Sequence, residues 1–577
     1  MFSFSPVKSL SYALALSLCL SQGISFSQTL NQNQLIPGQV NQWTQRDESR
    51  HLDKDLRTEP PEPTVIDETE EPEPLDPSLT KKFQVNNITI EGVTLIDGDD
   101  IQDIVSEYEG KELSFIELQD LSNRLTQLYQ EEGYVTSSVY TPPQRIENGN
   151  VILKATEGVV GETTFLKKRF FSSRAVMPRM GLDHGDHVNN DILGRQLRRI
   201  NTNTDLEVQA VLTAGAEYKE TDIDFRVQEQ RPYHVKVFWD NMGRRLIGEK
   251  RLGVTTTHNN LLGFGDQLSN TVSFTRRSFG TVTHYELPVG SHGTKLNFDH
   301  AYSNLTIGEE FKNLNISGNA HIYSPYISQE LVNTENVLLD YEIGLDIKKV
   351  NTTSGTQGLK FEDDLRVLRQ AINLDQFDRY GRTLMRNEVG IGLDMFGGKN
   401  NANTGLSRAG AGTQFFRYTG SLTRIQKMPW KTFGVFRAMG QLSQNRLSAI
   451  EQFQLGGTFT VRGYKEGRVI GDQGMFLSGE WHVPAFMIPE SWNIPKTNYN
   501  LRDNIQFVTF ADFGGVFVNK PVAGVERSEY VLGAGVGVRA RLTDYLVGRI
   551  DLGFPVMRQA PDSGSPRIHF GLESNLL

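Results

Sequence analysis

The chain has 577 residues, 38% of them hydrophobic, and a formal net charge of −10. That length exceeds one ordinary domain, and that apolar share is low for a single large soluble core. The acidic balance argues against a nucleic-acid partner, and one cysteine, Cys19, excludes a disulfide framework.

Residues 1–27 read as a secretory signal peptide. Lys8 precedes an apolar run from Leu10 to Leu20, and Ser25 and Ser27 suit a cleavage site. The run is too short to span a membrane as a helix. Leu18 and Leu20 make Cys19 a poor lipidation site, so the mature chain is expected to lack cysteine. In residues 28–57, "PGQVNQWTQRDESRHLDKDLR" fits a short helix with Val40 and Trp43 on one side, and fits a disordered tail equally well. Residues 58–80 contain "TEPPEPTVIDETEEPEPLDP", which is acidic and proline-dense. Such a segment cannot bury a core and is expected to be an extended linker.

From Phe83 the texture changes. "FQVNNITIEGV" alternates as a strand, and "DDIQDIVSEYEG" is a short helix closed by Gly110. Ser114 and Glu117 then form a capping-box pair ahead of Leu118, Leu121, Leu125 and Leu128 on one helical face. Two strands follow, "YVTSSVYTP" and "NVILKATEG". The order β-α-α-β-β over residues 81–158 marks a small α+β module. Residues 159–230 repeat it less regularly, with a first helix expected to be broken by Pro178.

After Pro232 helical periodicity stops. In "VLGAGVGVRARL", Leu532, Ala534, Val536, Val538, Ala540 and Leu542 share one face. Gly533, Gly535, Gly537, Arg539 and Arg541 share the other. A soluble sandwich would bury the apolar face, whereas an outer-membrane barrel turns it to lipid. Export, the missing cysteines, the strand length and a polar face carrying both arginine and acid favour the barrel. Residues 231–577 hold about sixteen such runs, an even number as bacterial barrels require. The expected fold is therefore a transmembrane antiparallel β-barrel preceded by two small α+β modules.

One stretch breaks the strand pattern: "GGTFTVRGYKEG", in a loop around residues 449–472. Its Val461, Arg462, Gly463 and Tyr464 precede "FADFG", Phe510 to Gly514, on a later strand. With two tandem modules and a signal peptide ahead, these segments resemble the outer-membrane transporters of two-partner secretion, within the Omp85 superfamily. "DNMGRRLIG", "NNLLGFGDQL", "YELPVG" and "NGNVILKATEG" extend the resemblance over nearly the whole mature chain. It implies that the modules are POTRA domains in the periplasm and that the loop folds back into the barrel.

The resemblance also implies that Arg462 reaches Asp512, with Phe510 and Gly514 beside it on the wall. A buried guanidinium needs a carboxylate, and its fork suits one. Glu480, Arg539, Arg549 and Asp551 fall on the lumen face of their strands and could join the network. The implied activity is secretion of one unfolded partner exoprotein, recognised by the POTRA domains through its N-terminal secretion domain. An exposed sheet edge could add a client strand. The candidate is Tyr134 to Thr141, with Tyr134, Val135, Val139 and Tyr140 in contact. The residues 28–57 helix, if formed, would plug the pore.

No G-x-x-x-x-G-K-[ST], H-E-x-x-H or G-x-S-x-G occurs in the chain, so neither nucleotide, metal nor enzymatic chemistry is expected. The alternative is a BamA- or TamA-like assembly factor, which shares the latch; two modules rather than five speak against it. Leu577 departs from the aromatic residue that usually ends such barrels.

Overall fold

A computed structural model describes residues 65–67, 81–165, 168–356, 358–494, 500–522, 524–543, 545–557 and 565–576. The expected signal peptide and plug segment, residues 1–27 and 28–57, lie outside the described residues.

In the first module, α1 (Gly98–Ser106) and α2 (Phe115–Glu131) cover one face of a three-stranded sheet. The capping box starts α2: the Ser114 N–H donates to Glu117 at 2.6 Å, and the Glu117 N–H donates to Ser114 Oγ at 3.3 Å. Leu118, Leu121 and Leu125 recur at helical spacing, so all three are buried against Val151, Leu153 and Val139. The sheet order is Asn87–Glu91, Asn150–Thr156, Ser138–Tyr140. Glu157 ties its corner, accepting from Thr94 N at 2.6 Å, Leu95 N at 3.0 Å and the Tyr129 hydroxyl at 3.0 Å.

The second module repeats the order with α3 (Ser173–Met180) and α4 (Asn190–Asn201). Two expectations need correction here. The first helix is not broken: α3 runs through Pro178 and ends at Gly181, φ 58°. Proline removes one hydrogen bond, but Ala175, Val176, Arg179 and Met180 are buried around it and hold the turn. Nor is the linker wholly extended and free. Val65–Asp67 pairs in parallel with Ala210–Leu212, adding a strand beyond Leu206–Ala214. An open sheet edge is a template for any extended segment, and Val65 and Ile66 are strand formers.

Sixteen antiparallel strands, from Tyr233–Asp240 to Arg567–Asn575, close into a barrel. The seam pairs first with last, Trp239 opposite Leu572. Alternation sets the two faces. Val536 is 51% exposed on the outer wall, whereas Asp512 and Asp551 are 0% exposed on the inner one. The second module sits under the barrel. Arg199 of α4 meets Glu330 near the end of the Ile316–Asn333 strand at 2.5 Å, and Asp205 meets His234 of the first strand at 2.8 Å.

Candidate functional site in the barrel lumen

The loop between the Thr432–Leu442 and Gln473–Pro484 strands turns into the lumen as a hairpin. Phe453–Leu455 pairs with Val469–Gly471, and "VRGY" forms the tip. Apolar packing seats it: Phe453, Leu455, Val461, Tyr464 and Val469 are buried together with the wall residues Phe476, Val516 and Val531. The wall is thinned to receive it. A Cβ on Gly514 would lie 2.5 Å from Leu455, and one on Gly533 would lie 1.9 Å from the Arg462 carbonyl oxygen. Gly463 takes φ 94°, where glycine alone is unstrained, and rests against Phe554 and Pro555.

Arg462 is 2% exposed. Its Nε and Nη2 donate to the two Asp512 oxygens at 2.7 and 2.8 Å, and its backbone N–H donates to Asp512 at 3.1 Å. Its third nitrogen, Nη1, lies 2.8 Å from Glu480. The guanidinium stacks 3.5 Å from the Phe510 ring centroid. Ser478 donates to Asp512 at 2.7 Å, and Glu480 also meets His482 at 3.0 Å. The Tyr464 hydroxyl has the Met557 and Leu532 carbonyls at 2.8 and 3.1 Å. Beside this latch, Asp551 pairs with Arg539 at 2.7 Å and with Arg549 at 3.1 Å. Arg539 also stands 4.0 Å from Glu480. All eleven residues singled out for the latch, wall and network therefore lie at one end of the hairpin.

Other anchors were not singled out. Asp472, at the loop's exit, pairs with Arg408 at 2.6 Å and accepts from Leu447 N at 2.9 Å. Glu451, on the entering limb, lies 2.7 Å from Lys348 and accepts from Arg417. A buried acid in "SAIEQFQL" was a usable signal, since a carboxylate carried into a lumen needs a cation. Beside the hairpin, a cavity of about 1160 Å³ runs from Asp205 and Gln230 of the second module to Arg417, Gln441 and Gln452.

The client-edge residues fare differently. The strand is Ser138–Tyr140, shorter than Tyr134 to Thr141, because Tyr134 and Val135 lie in the preceding turn. Tyr134 packs on the first core and Val135 on the second. Val139 is 5% exposed, and its outward N–H donates to Thr126 of α2 at 2.9 Å. Only Tyr140 is exposed. That edge is closed by its own helix.

The haemolysin secretion/activation protein family ShlB/FhaC/HecB matches residues 219–540, and the ShlB-type POTRA domain matches residues 83–158. The chain is 24% identical over 403 residues to the heme/hemopexin transporter protein HuxB of Haemophilus influenzae, covering 67% of this chain and 70% of that one. It is 20% identical over 484 residues to the outer membrane transporter CdiB of Dickeya dadantii, covering 82% and 83%. The solved structure of CdiB from Escherichia coli superimposes with a TM-score of 0.73 at 18% identity, covering 93% of this chain and 99% of that one. BamA from Haemophilus ducreyi is more distant, with a TM-score of 0.53 at 12% identity, covering 86% and 100%. The chain belongs to the haemolysin secretion/activation protein family ShlB/FhaC/HecB, the outer-membrane translocators of two-partner secretion.

Proposed function

We propose that this translocator carries one exoprotein, unfolded in the periplasm and led by an N-terminal secretion domain, past the in-folded loop to the cell surface. The POTRA modules stand in the periplasm and make the first contact. The observation that carries the reading is the latched hairpin beside a cavity of about 1160 Å³ whose lining the second module shares. A client held by that module is already at the pore mouth. The work is binding and passage, without covalent chemistry.

The receiving edge we favour is Leu206–Ala214. Among the described residues, its outer side pairs with Val65–Asp67 over Ala210–Leu212 and, at Val208, with the Asn201 side chain of α4 at 2.8 and 3.0 Å, which leaves the rest of its nine residues for a client. A longer client strand offers more main-chain hydrogen bonds and can displace the shorter one. A photo-crosslinker at Glu207, with one at Tyr140 for comparison, tests this during co-expression with the partner. Adducts to the partner's N-terminal domain from Glu207 are expected. Adducts from Tyr140 alone would overturn the choice of edge.

A further inference from the structure

We infer that Glu451 is a second latch on the in-folded loop, independent of Arg462. Glu451 is 0% exposed, and its two oxygens are shared between Lys348 and Arg417. These cations stand on the Val337–Ser354 and Phe416–Met428 strands, not on the strands that carry Asp512 and Glu480. The two contacts hold the tip and the entering limb of the hairpin to different sectors of the wall.

Charge balance says why Glu451 is needed there. Lys348, Arg369, Arg386 and Arg417 form one connected set with the wall carboxylates Glu342, Asp346 and Glu388. Four cations face three acids. Glu451 is the fourth, and it comes from the loop. When the loop leaves, Lys348 keeps only Asp346 and Arg417 keeps only Glu388, so the buried set carries an excess positive charge, a state the lumen disfavours. The loop is drawn back in until a replacement anion or water arrives.

Position separates the two latches further. Among the described residues, Lys348, Arg417 and Gln452 line the cavity whose lining the second module shares, and Arg462, Glu480 and Asp512 do not. A solute in that cavity can therefore reach the cations of Glu451 without displacing the tip. The latch itself does not rest on the translocator reading.

The mature chain's expected lack of cysteine gives a clean test. Val469, 1% exposed on the returning limb, is replaced as V469C in the full-length protein. Its labelling by a membrane-impermeant maleimide is timed in proteoliposomes without any client. Glu451→Gln should raise the labelling rate about tenfold, and by the same factor again in an Arg462→Ala background, as independent contacts do. Lys348→Gln should act likewise if Glu451→Gln folds poorly, as judged by heat-modifiable migration. Glu451→Lys combined with Lys348→Glu should not restore protection, because the new lysine would face Arg417 and the new glutamate would face Asp346. An unchanged rate in both backgrounds would overturn the second latch. An effect that vanishes once Arg462 is gone would also overturn it, because Glu451 would then act only through the first latch. Neither reading involves secretion, so failure here is distinct from failure of the translocator assignment.

Discussion

Arg462 is gripped by two carboxylates and one ring, and each contact uses a different property of the guanidinium. The fork matches Asp512, the third nitrogen reaches Glu480, and the planar face lies on Phe510. Lysine offers charge without the fork or the plane. Arg462→Lys should therefore cost about 1–3 kcal/mol of barrel stability. Arg462→Ala should cost about 3–5 kcal/mol, since it strands two buried acids. Urea unfolding in lipid vesicles reads both. Gly533→Ala should also unseat the tip, because its Cβ would meet the Arg462 carbonyl at 1.9 Å. A cost of about 1–3 kcal/mol is expected, with faster proteolysis of the loop in the folded barrel. The Arg462–Asp512 contact was legible because both residues sit in short motifs of fixed spacing. Glu451 and its cations were not, since strand register decides which distant lysine or arginine faces a given acid. A shift of one residue would turn Lys348 outward.

At the scale of elements, alternation and capping carried most of the reading. Period-two patterning gave the strands, and Ser114 with Glu117 marked the start of α2. Three elements escaped. Val65–Asp67 lies among prolines and acids, so its strand depends on the edge it meets. Pro178 is tolerated because tertiary burial outweighs local propensity. The Ser138–Tyr140 edge looked open because the reach of Thr126 from α2 is a three-dimensional fact. Two predictions belong here. Ile66→Pro should remove linker pairing and raise hydrogen exchange at Ala210–Leu212, leaving the first module unchanged. The second prediction concerns Glu157. Burial pushes its carboxyl up, but hydrogen bonds from Thr94, Tyr129 and Leu95 outweigh that and hold it below the usual range. A depressed folded value stabilises the module above the unfolded pKa of about 4.3. That stability is lost as pH falls through the folded value. Wild type should exceed Glu157→Gln by about 1–3 kcal/mol from pH 5 to 8. The gap should close below about pH 4. A gap constant to pH 3 would contradict it.

The whole molecule joins three parts: modules, a lumen cavity whose lining they share, and a hairpin latched to the wall beside it. The second module is fixed to the ends of barrel strands through Arg199–Glu330 and Asp205–His234, so a client on that module would stand at the cavity. The hairpin is held at its tip by Arg462 and on its limbs by Glu451 and Asp472. On the proposed reading, passage of a client requires the hairpin to yield. The most direct measurement is secretion of the co-expressed partner exoprotein by wild type, Arg462→Ala, Asp512→Ala and the double variant, at matched outer-membrane levels. Charge exchange between the two positions is not expected to rescue, because Glu480 would then face a second carboxylate. The account predicts that each single change abolishes or sharply lowers secretion and that the double is no worse than either. Normal secretion by Arg462→Ala from a stable barrel would contradict it.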